Sequence, residues 1–158
     1  MNLNDIIGYI VKYYPKPNQL SKARLNKVLY LIDWKSVLKN EEQMTKLDWI
    51  YNHYGPYVDE VETSIIIDKR FVIERTTNIY GNEKNIIKTK LDATFEEPSK
   101  QEKKIIDFII EKTNRYNFTD FIKLVYSTYP IISQPQGSQL NLVELANEYK
   151  EIKNGITN

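Results

Sequence analysis

Residues 21–39 read S-K-A-R-L-N-K-V-L-Y-L-I-D-W-K-S-V-L-K, and the width of their apolar face decides the fold. Leu25, Val28, Leu29, Ile32 and Ser36 recur at helical spacing, and Leu31, Trp34 and Leu38 widen the stripe. A helix apolar over so much of its circumference must be buried on more than one side. It is the expected central helix. Ser21 fits its N-cap, although Arg24 three residues later leaves no capping box. Lys22, Arg24 and Lys27 fall on differing faces, which reads as solvated surface rather than a phosphate-binding stripe.

Before this helix, Leu3, Ile6, Ile7, Ile10, Val11 and Tyr14 form one helical stripe over 3–14, with Asn4 as a candidate cap. Pro15 and Pro17 stop it. After it comes W-I-Y-N-H-Y-G-P-Y at 49–57, which gathers a Trp, three Tyr and the single His of the chain around a Gly-Pro step. Residues 46–52 alternate weakly and are read as extended. Gly55 before Pro56 is pushed to extended geometry, or tolerates positive φ at little cost. A helix is expected from Tyr57 to about Asp68, with Asp59, Glu60 and Glu62 suited to its dipole.

Residues 71–76 and 85–91 are rich in β-branched side chains and predict an antiparallel hairpin with a polar tip. Such a pair is marginal alone, and residues 46–52 are the natural third strand. Ser99-Lys100-Gln101-Glu102 is a capping box directly after Pro98 and starts another helix. Asn117 or Thr119 caps the next, which Tyr129-Pro130 should end. Residues 131–139 read as loop. A short amphipathic helix should follow Asn141, and the tail 153–158 should fray. The fold class is α+β: a mostly helical single domain with a small antiparallel β-sheet.

The composition excludes several chemistries. There is no Cys, hence no disulfide, thiolate metal site or Cys nucleophile. One His cannot build a His-rich metal centre, and a carboxylate-only Mg²⁺ or Ca²⁺ site is the sole metal option left. The 22 basic and 21 acidic residues nearly cancel, whereas nucleic-acid binders usually carry a basic excess on one face. Only residues 1–50 lean basic, with 8 against 5. The glycines are isolated, so no phosphate-binding loop is present. The start M-N-L-N-D lacks the positive region of a secretory signal, and no run approaches a membrane span. His53 has no Ser or Cys at a catalytic spacing. Asp33, and the run Asp59, Glu60 and Glu62, read as helix surface and a favourable first turn. No enzyme and no cofactor are expected.

Three segments carry a resemblance. They are L-S-K-A-R-L-N-K-V-L-Y-L-I-D-W-K at 20–35, W-I-Y-N-H-Y-G-P-Y-V at 49–58 and F-T-D-F-I-K-L-V-Y-S-T-Y-P at 118–130. In this order and spacing they resemble the SocA-like antitoxin domain family, also called Panacea. The resemblance implies one such domain over 1–158, in a cytoplasmic bacterial or phage protein that binds and neutralises a protein toxin, as a chaperone or a proteolytic adapter. Added to the aromatic cluster, it makes Tyr30, Asp33, Trp34, Asn52, His53, Tyr54 and Tyr57 the candidate partner-binding residues. A homo-oligomer and a host protease are further candidate partners; no membrane is expected. Three alternatives stay open at this point: a nucleic-acid-binding regulator using the basic first third, a hydrolase centred on His53 and Asp33, and a phage-encoded inhibitor of a host defence protein.

Overall fold

The computed structural model describes residues 2–157, with side chains through Gly155; Met1 and Asn158 lie outside the described residues. Chain order is α1 (Leu3–Tyr13), a 3-10 turn (Pro17–Gln19), α2 (Lys22–Asn40), β1 (Ile50–Asn52), β2 (Gly55–Tyr57), α3 (Glu60–Ile67), β3 (Phe71–Thr77), β4 (Glu83–Thr89), α4 (Lys100–Thr113), α5 (Phe118–Tyr126), α6 (Tyr129–Ser133) and α7 (Leu142–Thr157). This is a compact α+β domain of helices with two small antiparallel hairpins.

α2 is the axis. Every residue from Arg24 to Trp34 is buried, and α4, α5, α7 and β2 pack around it. Ser21 caps it by accepting from the Arg24 amide at 3.1 Å. The cap of α1 is Asn2 rather than Asn4: its side chain accepts from the Asp5 amide, while Asn4 reaches across to Asp68 at 2.9 Å. Gly8 lets α1 approach the 93–98 segment closely, since a Cβ there would lie 2.4 Å from the Phe95 ring.

β3 and β4 pair from Phe71↔Thr89 to Thr77↔Glu83. Their tip is not polar throughout: Ile79 and Tyr80 stand in solvent at 90% and 81% exposure. Residues 46–52 do not become a third strand of this sheet. β1 pairs instead with β2, its own continuation, in the register Ile50↔Tyr57 to Asn52↔Gly55. The other edge of β1 is taken by the segment after α6, through Tyr51 N–H to Ser138 O at 2.9 Å and Leu140 N–H to Trp49 O at 2.8 Å. Those bonds satisfy the backbone groups that the expected sheet would have used.

The capping box at Ser99 and Glu102 closes in both directions. Asn117 caps α5. α5 ends at Tyr126, and Pro130 lies in the first turn of α6, where a missing N–H costs nothing. Residues 129–133 are therefore helical, where a loop was expected from 131. α3 begins only at Glu60, because 55–57 are spent on the strand. α7 stays helical to Thr157, so residues 153–157 of the expected fraying tail are ordered as helix.

Candidate partner-binding surface

The hairpin β1–β2 is held from below by one face of α2. Asn26, Tyr30 and Asp33, at i, i+4 and i+7, each reach it or the loop before it. Asn26 Nδ2 donates to Val58 O at 3.0 Å, just beyond β2. Tyr30 is fully buried; its ring meets Trp49 edge-on at 5.7 Å, and its hydroxyl pairs with Thr128 Oγ1 at 2.7 Å. Burial pushes that hydroxyl well above the usual tyrosine range.

Asp33 is the hub. It is wholly enclosed and accepts from the Thr45 amide at 2.9 Å, the Thr45 hydroxyl, Trp49 Nε1 at 2.9 Å and Gln43 Nε2 at 3.3 Å. Burial raises the carboxyl above its ordinary value, against the opposing pull of the Thr45 and Trp49 donors. Gln43 Nε2 also donates to Leu47 O at 2.9 Å, so one carboxylate and one amide order the loop from 43 to 49.

Gly55 supplies what this hairpin needs. Its φ is +100°, while His53 and Tyr54 at the tip keep negative φ, as in hairpins whose left-handed residue follows the turn. Gly55 and Pro56 are buried against α2 and α5. A Gly55 Cβ would sit 3.4 Å from the Tyr126 ring and 3.8 Å from Lys27 Cε. Tyr126 in turn meets Tyr51 edge-on at 6.2 Å.

The seven expected site residues divide. Asn52, His53 and Tyr54 are exposed at the tip, Tyr54 to 83%. Tyr57 is half-buried, and burial together with a hydrogen bond to Asp59 raises its hydroxyl. Tyr30 and Asp33 have no surface to offer a partner: they are the clamp beneath the hairpin. Trp34 is 7% exposed and packs on Tyr149 of α7 at 6.1 Å. His53 Nδ1 lies 2.9 Å from Gln136 Nε2.

The basic trio of α2 is not the solvated surface that the sequence suggested: Lys22 is paired, and Arg24 and Lys27 are buried. Lys22 pairs with Glu62 at 2.8 Å. Arg24 is buried, donating to Tyr14 Oη and the carbonyls of Thr113 and Tyr116, with its guanidinium 4.7 Å from the Phe121 centroid. Lys27 is 3% exposed, and desolvation lowers its pKa to about 8. The sequence carried no signal for the burial of Lys27, which follows Lys22, Arg24 and Asn26 and reads as solvated surface. Gln136 and Tyr126 carried none, because only the tertiary fold brings them to the hairpin.

Among the described residues, no group of three or more His, Cys, Asp or Glu is placed to hold a metal. No described helix is long and apolar enough to cross a membrane. No curated protein and no solved structure matches the chain. The family model described as antitoxin SocA-like, Panacea domain, matches residues 25–130, a span that opens on the clamping face of α2, takes in the whole hairpin and closes on the Tyr129-Pro130 step. The chain belongs to the SocA-like antitoxin family of Panacea domains.

Proposed function

We propose that this chain is the antitoxin of a toxin–antitoxin pair and neutralises a protein toxin in the cytoplasm by direct binding through the tip of the β1–β2 hairpin. Family membership supports the antitoxin role in general. The observation that carries the choice of surface is Tyr54: its ring is 83% exposed on a hairpin anchored from below and along one edge. A large aromatic ring held out on a preorganised turn adds contact area at little ordering cost. Asn52, His53 and the half-buried Tyr57 surround it with polar groups, the composition of an anchor with its rim.

The nucleic-acid alternative loses its main support, because Lys22 is paired and Arg24 and Lys27 are buried. Growth rescue is the test. A neighbouring reading frame that is toxic when expressed alone is co-expressed with wild-type chain, Tyr54→Ala or His53→Ala. Rescue by wild type and its loss with folded Tyr54→Ala is expected. Full rescue by both variants would remove the hairpin tip from the interface.

A further inference from the structure

The β3–β4 ribbon is closed along one edge and open along the other. Lys90 N–H donates to Arg70 O and Asn78 N–H donates to Asn82 O, each at 2.9 Å. The register is continuous between these bonds, so Val72, Glu74 and Thr76 bond to β4 while Phe71, Ile73, Arg75 and Thr77 turn their backbone groups the other way. The outer edge of β4 is taken: Ile87 N–H donates to Leu20 O at 3.0 Å, and Ser21 bridges to Ile86. On the outer edge of β3, Phe71 N–H donates to Asp68 O at 3.1 Å. The backbone N–H and C=O groups of Ile73, Arg75 and Thr77 have no partner among the described residues.

This edge lacks the usual guards. It carries no Pro and no bulge, and its two charges lean back over the ribbon, Glu74 to Lys88 at 2.9 Å and Arg75 to Glu83 at 3.7 Å. The helices beneath follow the same order, with α1 packed on β4 and α3 on β3. Asn4 of α1 donates to Ser64 O and the Asp68 carboxylate, so α1 lies on that side of α3. Ile66 is about half a turn round the helix from both, and its side chain stands 64% exposed. A strand added beside β3 would cover that side of α3.

We propose that the free edge of β3 takes up an extended segment of a protein partner, which pairs its main chain with Ile73, Arg75 and Thr77 and lays an apolar side chain on Ile66. Unpaired N–H and C=O groups on every second residue are the complement of another polypeptide strand. A second copy of this chain fits less well. The antiparallel register that overlaps all of β3 sets Glu74 directly opposite Glu74 of that copy, and the like charges repel. The edge does not depend on the β1–β2 tip being the toxin surface.

Panning a random dodecapeptide library displayed on phage against the folded chain tests this. The expected peptides alternate apolar and polar residues, and their binding slows amide exchange at Ile73, Arg75 and Thr77 by about tenfold or more. Two substitutions at one position separate backbone from side chain. Arg75→Pro removes an outward N–H that β4 does not use and should weaken an enriched peptide about tenfold or more. Arg75→Ala keeps that N–H and should bind within about twofold of wild type. Melting curves check both folds, and the exchange pattern in wild type decides the matter if Arg75→Pro does not fold. No enrichment, peptides that leave those three amides unchanged, or equal binding by folded Arg75→Pro would each overturn the proposal. So would a concentration-dependent dimer abolished by Arg75→Pro, which gives the edge to a second copy. Peptides lost with Tyr54→Ala and kept with Arg75→Pro would remove the edge and leave the tip as the binding surface.

Discussion

Trp49 Nε1 donates to the Asp33 carboxylate at 2.9 Å, and neither side chain reaches solvent. The pair joins α2 to the strand that begins the hairpin. Asp33→Asn keeps the shape but places an amide N–H where an oxygen accepted. Thr45 can rotate its hydroxyl to suit; the indole N–H cannot. A buried donor left unpaired costs about 1–3 kcal/mol, and urea denaturation of Asp33→Asn should show a loss of that size. Trp49→Phe removes the orphan. The double variant should therefore be less destabilised than the sum of the singles, by about 1 kcal/mol or more. Strict additivity would show that the bond contributes nothing.

Lys27 makes stability rise with pH, as carboxylates do in acid denaturation, but in the alkaline range. Its folded pKa is about 8 against the ordinary 10.5. Between those values the unfolded chain holds a proton that the native chain has released, so stability rises with pH. Below pH 8 the penalty is present in full. Tyr30 acts the other way, since its raised hydroxyl loses stability as pH passes the unfolded tyrosine value of about 10. The clean window is pH 7 to about 9.5. Wild type should gain stability across it. Lys27→Met should be flat there and more stable at pH 7, by at most about 3 kcal/mol. Denaturant melts at several pH values decide it, and a flat wild-type curve would show the ammonium to be well solvated.

Which parts could be read from the sequence follows from how local their causes are. The Ser21 cap and the Ser99–Glu102 box depend on residues three apart and were legible. So was the 71–91 hairpin, whose β-branched runs fold on each other. The partner of β1 was not. Residues 46–52 alternate in the same way whether they join β3 or turn back at Gly55, and the choice rests on the 137–140 segment, which reads as loop. Asp33 misled for a related reason. A carboxylate beside Trp34 reads as surface until Thr45 and Trp49 are known to fold back over it. The aromatic stretch at 49–57 was visible as a unit, but its division into buried Trp49, half-buried Tyr51 and Tyr57, and exposed Tyr54 needed the hairpin register.

Gly8 offers a test of packing alone. Ala is favoured over Gly inside a helix by about 1 kcal/mol, so a neutral site would be stabilised by Gly8→Ala. Here the new methyl would lie 2.4–2.6 Å from three atoms of the Phe95 ring. The ring cannot swing aside freely, because it packs on Phe71 at 5.2 Å and beneath the Arg70 guanidinium at 4.2 Å. Overpacking typically costs about 1–3 kcal/mol. Thermal melts should show Gly8→Ala less stable than wild type, and Phe95→Leu should restore part of the loss. A more stable Gly8→Ala would mean that the segment around Phe95 yields.

Gly55 and Tyr54 are neighbours with opposite expected behaviour, and that contrast tests the hairpin as a rigid platform. At φ +100° a side chain is strained whatever the space around it, although the Cβ of Gly55→Ala would meet the Tyr126 ring at an ordinary contact distance of 3.4 Å. The expected cost is about 1–3 kcal/mol in urea, with toxin rescue falling only as the folded fraction falls. Tyr54→Ala removes an exposed ring that packs on nothing essential, so stability should stay within about 0.5 kcal/mol. Its toxin rescue should nonetheless be lost. Measuring stability and rescue on both variants separates scaffold from contact. If Tyr54→Ala unfolds the domain, the ring is part of the clamp and not its product; if it keeps both stability and rescue, the tip presents nothing that the toxin uses.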